Sequence, residues 1–178
     1  TRIGLLQTLI DMGAKIDISE TTEGPGERLG DVTFRAGPLH GIDVPPERAP
    51  SMIDEYPLLA VAASCARGTT RMNGLSELRV KESNRLTAIA NGLQIAGVQA
   101  SIDGDSLIVE GHAGQPPGGG LIPSCLDHRI AMSFLVLGLA AEQPVTINDG
   151  DTIDTSFPGF VTMMNRVGAT IAPADDVG

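Results

Sequence analysis

Apolar positions along the 178-residue chain fall into two recurring kinds of segment. In the first kind, apolar residues recur at three- and four-residue spacing, the run ends in Gly, and a short alternating stretch follows. It occurs three times, as GLLQTLIDMGAKIDI (4–18), RLTAIANGLQIAGVQASI (85–102) and GFVTMMNRVGATIAP (159–173). The spacing predicts a helix with one buried face, and Gly13, Gly97 and Gly168 stand where a left-handed C-terminal cap belongs. AKIDI, VQASI and ATIAP are the strands predicted to follow.

The second kind occurs twice, as SMIDEYPLLAVAASCARGTTRMNG (51–74) and SCLDHRIAMSFLVLGLAAEQPVTIND (124–149). Each opens Ser-x-x-Asp, continues as a helix apolar on nearly every side, and closes with a polar turn and a short strand. Helices apolar all round belong in an interior, so these two are expected to be central and the first kind peripheral. LGDVTFRA (29–36) and SLIVEG (106–111) add strands, while TTEGPGERLG and GHAGQPPGGG are turn-rich connections. The second of these lacks the Gly-Lys-Ser/Thr ending and the following helix of a phosphate loop. Together the segments predict a tandem α/β arrangement with a repeat of roughly seventy residues.

Charge changes the picture. With 22 acidic residues against 12 basic ones the net charge is −10, which disfavours general affinity for nucleic acid or an anionic membrane. No Trp, one Tyr and four Phe leave few platforms for stacking bases. The two cysteines, Cys65 and Cys125, lie at neither metal-ligand nor disulfide-framework spacing, which fits a reducing compartment. The longest apolar stretch, Ile130 to Ala141, is too short to cross a bilayer, and no secretory signal opens the chain, so the expected location is the cytoplasm. Thr1 falls inside or just before a helix of the repeat, without initiator Met or leading strand, and the chain is therefore expected to be a piece of a longer polypeptide.

Against the overall sign, five of the twelve cations (Arg67, Arg71, Arg79, Lys81 and Arg85) fall within nineteen residues. In RVKESNRLTAIANGL (79–93) a helical path puts Lys81 and Arg85 on one face and Glu82 three residues before Arg85. Cations at a helix N-terminus oppose its dipole, so compensating negative charge is expected. Either an anionic ligand supplies it, held by the Arg fork and the Lys point charge, or Glu77, Glu82, Arg79, Lys81 and Arg85 form an exposed ion-pair network of little worth. The residues alone leave both open.

Two further helix starts carry charge. MIDEYP sets Asp54 and Glu55 ahead of one apolar helix, and LDHR sets Asp127, His128 and Arg129 at the matching place of the next. Either Asp reads most simply as an N-cap, and His128 as a helix-end histidine bonded to backbone. Arg129 needs a partner, because a cation running into an apolar helix is costly alone. If the repeat gathers these starts at one end, they make a shared anion site with a carboxylate available for proton transfer.

RAPSMIDEYPLLAVAA, LRVKESNRL, LDHRIAMSFLVLGLA and TSFPGF, in this order, resemble the C-terminal portion of the 5-enolpyruvylshikimate-3-phosphate synthase family, and the resemblance runs through essentially the whole chain. It implies an inside-out α/β barrel of repeated βαβαββ units, with buried helices and sheets outside. Residues 1–178 would form most of one of two domains, with units at about 1–50, 51–123 and 124–178. It further implies transfer of the enolpyruvyl group of phosphoenolpyruvate to the 5-hydroxyl of shikimate 3-phosphate, with release of phosphate and with neither metal nor organic cofactor. The partners would be these two substrates and the missing N-terminal part of the polypeptide, with no nucleic acid and no membrane.

By motif, Arg85 and Arg129 would grip the phosphoenolpyruvate carboxylate with His128 close by. Asp54 would contact the shikimate hydroxyls and act as base, Glu82 would move the proton at the methylene carbon, and Lys81 would lie on the shikimate phosphate side. Asn84 stands where many members have Asp, and Thr155 where others have Lys. The alternatives are the UDP-N-acetylglucosamine carboxyvinyltransferase of the same fold and a non-catalytic anion-binding module. Lys-Glu-Ser-x-Arg and Asp-His-Arg favour the shikimate enzyme over the first, and the two carboxylates Asp54 and Glu82 argue against the second.

Overall fold

The computed structural model describes residues 3–22 and 29–174; most of the TTEGPGERLG connection lies outside them. The chain runs α1 (Gly4–Asp11), β1 (Lys15–Thr22), β2 (Leu29–Arg35), β3 (Asp43–Val44), α2 (Ala49–Met52), α3 (Tyr56–Cys65) and β4 (Arg67–Met72). It continues with α4 (Arg85–Ile95), β5 (Ala100–Asp103), β6 (Ser106–His112), β7 (Leu121–Ile122), α5 (His128–Ala140), β8 (Thr146–Ile147) and α6 (Phe160–Arg166).

One complete β-α-β-α-β-β unit stands in the middle of the chain: β3, α3, β4, α4, β5, β6. Its strands form a sheet in the order β3-β4-β6-β5, with β3 and β4 parallel and the other neighbours antiparallel. The register pairs Thr70 with Val109 and Met72 with Leu107, and these four side chains are buried on one face of the sheet, which is apolar except for the Thr70 hydroxyl, left without a hydrogen-bond partner among the described residues. After this unit the pattern begins again, since β7 and β8 are parallel and flank α5 as β3 and β4 flank α3. Before it, α1, β1 and β2 match α4, β5 and β6; β1 and β2 pair antiparallel as a separate ribbon. The repeated βαβαββ unit with helices inside and sheets outside is the inside-out α/β fold expected from the sequence.

Glycine ends the amphipathic helices as their spacing requires. Gly13, Gly97 and Gly168 have φ of 97°, 75° and 106°. The residue after each returns a backbone N–H to the helix, from Ala14 to Leu9 O (2.8 Å), Val98 to Leu93 O (2.9 Å) and Ala169 to Met164 O (3.0 Å).

Three expectations need correction. The helix expected from Ser51 is broken: α2 gives way to a 3-10 turn at Ile53–Glu55 before α3 begins, so Asp54 sits in a turn. The helix α4, expected at the periphery, is buried at Arg85, Leu86, Ile89 and Leu93 and also at Ala88, Ala90 and Gly92. Small side chains on its second face let α5 approach, and a Cβ at Gly92 would lie 2.3 Å from the Phe134 ring. Finally, ATIAP (169–173) is not a strand. No neighbouring strand pairs with it among the described residues, and the Asn165 side chain instead bonds both N–H and carbonyl of Ile171 (2.9 Å each).

The result is a single helical interior of α3, α4 and α5. Leu59, Leu86, Ile89, Leu93 and Phe134 are among its buried side chains, each burial contributing about 1.5–3 kcal/mol. Tyr56 is buried with them, its hydroxyl without a hydrogen-bond partner among the described residues. This packing brings the N-termini of α4 and α5 together beside the turn that precedes α3. Among the described residues no helix is long and apolar enough to cross a membrane.

Candidate anion site at three helix starts

The turn before α5 is locally costly. Cys125 and Leu126 both have φ of 55°, in the left-handed region that costs a non-glycine residue roughly 1–2 kcal/mol. Hydrogen bonds hold the turn. Asn148 Oδ1 accepts from the Ser124 N–H (2.7 Å), and Ser124 O accepts from the Asp127 N–H (3.0 Å). The turn delivers Asp127 to the interior, where its side chain has no exposed surface. There its Oδ1 caps α5 by accepting from the Arg129 N–H (3.0 Å), and its Oδ2 accepts from Arg85 Nε (2.7 Å) and Ser83 Oγ (3.0 Å).

Arg85 opens α4, behind Asn84, whose side chain caps the helix by accepting from the Thr87 N–H (3.2 Å). Residues 81–84 precede the helix, with Lys81 extended at ψ −160°, so Lys81 and Arg85 do not share a helical face as the spacing suggested. They converge instead on one carboxylate. Asp54 Oδ1 accepts from Arg85 Nη1 at 3.0 Å and lies 3.6 Å from Lys81 Nζ, while its Oδ2 lies 3.8 Å from Arg129 Nη2. Glu82 binds Arg85 Nη2. The guanidinium of Arg85 therefore faces a carboxylate at each of its three nitrogens, and its side chain is fully buried.

Compensating charge at this helix start thus comes from the chain itself: the Lys81–Glu77 and Arg85–Glu82 pairs of the ion-pair reading are present, and Asp54 and the buried Asp127, which that reading lacked, complete the network. Arg79 takes no part, reaching Asp105 (3.1 Å) and Gly104 O (2.6 Å) instead. Lys81 is also bound to Glu77 (2.5 Å). Arg129 keeps a third of its side chain exposed, donates to Asp54 O (3.2 Å) and lies 3.9 Å from Glu55 Oε1. The other oxygen of Glu55 is buried with no hydrogen-bond partner among the described residues.

Electrostatics follow from this geometry. Burial pushes the Asp54 carboxyl up, but Arg129, Lys81 and Arg85 together hold it below the usual carboxylate range. Asp127 is likewise pushed up by burial and carried below that range by Arg85, the Arg129 N–H and Ser83. Arg85 is disfavoured by burial yet held more firmly protonated by Asp127, Glu82 and Asp54. Both Asp residues are anionic here, and Asp54 is a weak base while its cations face it.

The structure brings together Asp54, Lys81, Glu82, Arg85 and Arg129 in one network. His128 opens α5 next to it, half-buried, without the backbone hydrogen bond expected of it among the described residues. Asp54 is no N-cap; Glu55 holds that position before α3 and makes no side-chain cap bond. Asp127, read only as a cap, proves to be both cap and ion-pair partner. Thr155 is exposed in the 3-10 segment Gly150–Thr155 and bonds Thr152 O (2.7 Å), so it brings no cation. Among the described residues no three His, Cys, Asp or Glu side chains are arranged to hold a metal ion.

The buried helix trio within βαβαββ units thus gathers arginines and carboxylates at its helix starts. The family model for EPSP synthase (3-phosphoshikimate 1-carboxyvinyltransferase) matches residues 1–164, and the chain belongs to that family. It is 58% identical over 173 residues to the 3-phosphoshikimate 1-carboxyvinyltransferase of Granulibacter bethesdensis, covering 97% of this chain and 38% of that protein. The protein of the same name from Rhodospirillum rubrum is 60% identical, with 96% and 38% covered. The solved EPSP synthase of Acinetobacter baumannii superposes with a TM-score of 0.90 at 40% identity, covering 95% of this chain and 39% of that one. The enolpyruvyl transferase NikO of Streptomyces tendae shares the fold, with a TM-score of 0.71 at 22% identity, 95% of this chain and 36% of that one. The chain spans about two fifths of the length of these relatives.

Proposed function

We propose that this chain is the part of a 3-phosphoshikimate 1-carboxyvinyltransferase that binds the carboxylate of phosphoenolpyruvate and moves protons during addition and elimination. The observation that carries the reading is the convergence of Arg85, Arg129 and Lys81 on Asp54, with Glu82 beside Arg85. Both substrates are polyanions, and the cluster offers fixed cations to orient them and carboxylates at bonding distance to exchange protons.

In the reaction the 5-hydroxyl of shikimate 3-phosphate attacks C2 of phosphoenolpyruvate while the methylene carbon gains a proton. Elimination then removes a proton from that carbon and expels phosphate. Arg85 and Arg129 hold the substrate carboxylate, His128 lies against the same ligand, and Lys81 serves the phosphate of shikimate 3-phosphate. Asp54 accepts the hydroxyl proton and passes it to the departing phosphate, and Glu82, released from Arg85 and carrying a proton taken from water, gives that proton to the methylene carbon and retakes it on elimination. Asp54 gains basicity once substrate anions engage the cations that depress it. No metal or organic cofactor has a part in these steps.

The rest of the polypeptide would complete the shikimate 3-phosphate pocket, and the enzyme would work in the cytoplasm. The chain is read as most of one domain, and because β3 and β7 open the second and third units, those units begin near residues 43 and 121, somewhat before the 51 and 124 expected from the sequence. The test is turnover by the full-length polypeptide that contains it. Phosphate release from phosphoenolpyruvate that depends on shikimate 3-phosphate is expected, and none from this chain alone. Release that depends on UDP-N-acetylglucosamine would overturn the acceptor, and release with neither acceptor or none at all would overturn the transferase.

A further inference from the structure

Three carboxylates surround the Arg85 guanidinium, but they do not stand in equal positions. Asp127 holds Nε on the closed side, where neither side chain is exposed. It is fixed from both directions, since Oδ1 caps α5 and Oδ2 also accepts from Ser83. Asp54 and Glu82 hold the two Nη groups on the open side, with 16% and 50% of their side chains exposed. A carboxylate ligand pairs best with two parallel N–H groups of an arginine. With Nε taken, the groups left are Nη1 and Nη2, and each already carries a carboxylate that reaches solvent.

We propose that Asp127 is the permanent anchor of Arg85, and that the substrate carboxylate displaces Asp54 and Glu82 from its two Nη groups. Binding then does two things at once. It fills the open side of a guanidinium kept in place by Asp127, and it frees the two carboxylates assigned to proton transfer at the moment substrate arrives. Until then Arg85 keeps both engaged. Asp127 is a positioning residue in this scheme: it touches no substrate and acts through Arg85. Its cap on Arg129 N–H also ties the start of α5 to the start of α4, which sets the separation of the two arginines.

The inference rests on the proposed transferase reading, and one titration separates the two. The probe is 2-phospholactate, which carries the carboxylate and phosphate of phosphoenolpyruvate on a saturated carbon and does not turn over. It is titrated calorimetrically into the full-length polypeptide saturated with shikimate 3-phosphate. Glu82→Gln removes a competitor for Nη2 and should tighten binding roughly tenfold. Asp127→Asn removes the anchor and should weaken it by about the same factor.

Both substitutions delete one negative charge at the same guanidinium, so a general field effect would move them in the same direction. Binding by Glu82→Gln that is unchanged or weaker overturns the exchange, and this arm decides it even where Asp127→Asn does not fold. Tightening in both variants overturns the anchor. Absence of phospholactate binding together with absence of phosphoenolpyruvate turnover in the unsubstituted protein overturns the transferase reading beneath them.

Discussion

Asp127 Oδ2 lies 2.7 Å from Arg85 Nε, and neither side chain has exposed surface. Two charges removed from water in this way are stable only as a pair, because the loss of one leaves the other uncompensated. Asp127→Ala also removes the cap of α5. It should destabilise the full-length protein by about 3–5 kcal/mol, read from urea unfolding. A loss below about 1 kcal/mol, the range of an exposed pair, would contradict the burial.

The same pair fixes a pH dependence. Asp54 and Asp127 both have native values below the ordinary one. A depressed carboxylate stabilises the fold above its unfolded value near about pH 4, and that stability is lost as pH falls through the depressed native value. Asp127→Asn should therefore lower stability at neutral pH and flatten the fall below about pH 4. Denaturation midpoints between neutral and acid pH read this slope, and parallel curves for the two proteins would contradict it.

Close approach of α4 and α5 depends on Gly92. A Cβ there would stand 2.3, 2.5 and 2.9 Å from three carbons of the Phe134 ring. Gly92→Ala should cost about 1–3 kcal/mol by overpacking, despite the better helix propensity of Ala. Adding Phe134→Leu should recover part of it, and the thermal midpoints of single and double variants check the interaction.

Asn84 caps α4 through its side-chain oxygen, a role that Asp fills as well. Asn84→Asp should leave stability within about 0.5 kcal/mol of the parent, whereas Asn84→Ala should lose about 1 kcal/mol. Thermal unfolding of the two variants distinguishes a cap from a residue that needs the amide donor.

Much of the fold was legible because it rests on local rules. The period of apolar residues, the glycine after Met12, Ala96 and Val167, and the matched Ser-x-x-Asp segments gave the helices and their repetition. The errors arose where tertiary packing decides. Spacing could not show that residues 81–84 leave the helical path, since the cap at Asn84 sets the start of α4. Nor could it show that ATIAP lacks a partner strand. In the site, Asp54, Lys81, Glu82, Arg85 and Arg129 were each legible as charged residues at helix starts. The pairing of Arg85 with Asp127, 42 residues away, was not, because it exists only through the crossing of α4 and α5. A signal was present all the same: an arginine at the start of α4 and an aspartate at the start of α5, the next helix along the chain.

In the proposed reaction Glu82 moves the proton at carbon while Arg85 holds the carboxylate beside it. Single-turnover formation of the enolpyruvyl product by the full-length protein tests this most directly, with Glu82→Gln compared to the parent at saturating substrates. Loss of a positioned acid–base group should slow the chemical step by about 10²–10⁴ while both substrates still bind. A chemical step within about threefold of the parent, too small for a lost acid–base group, would contradict the account.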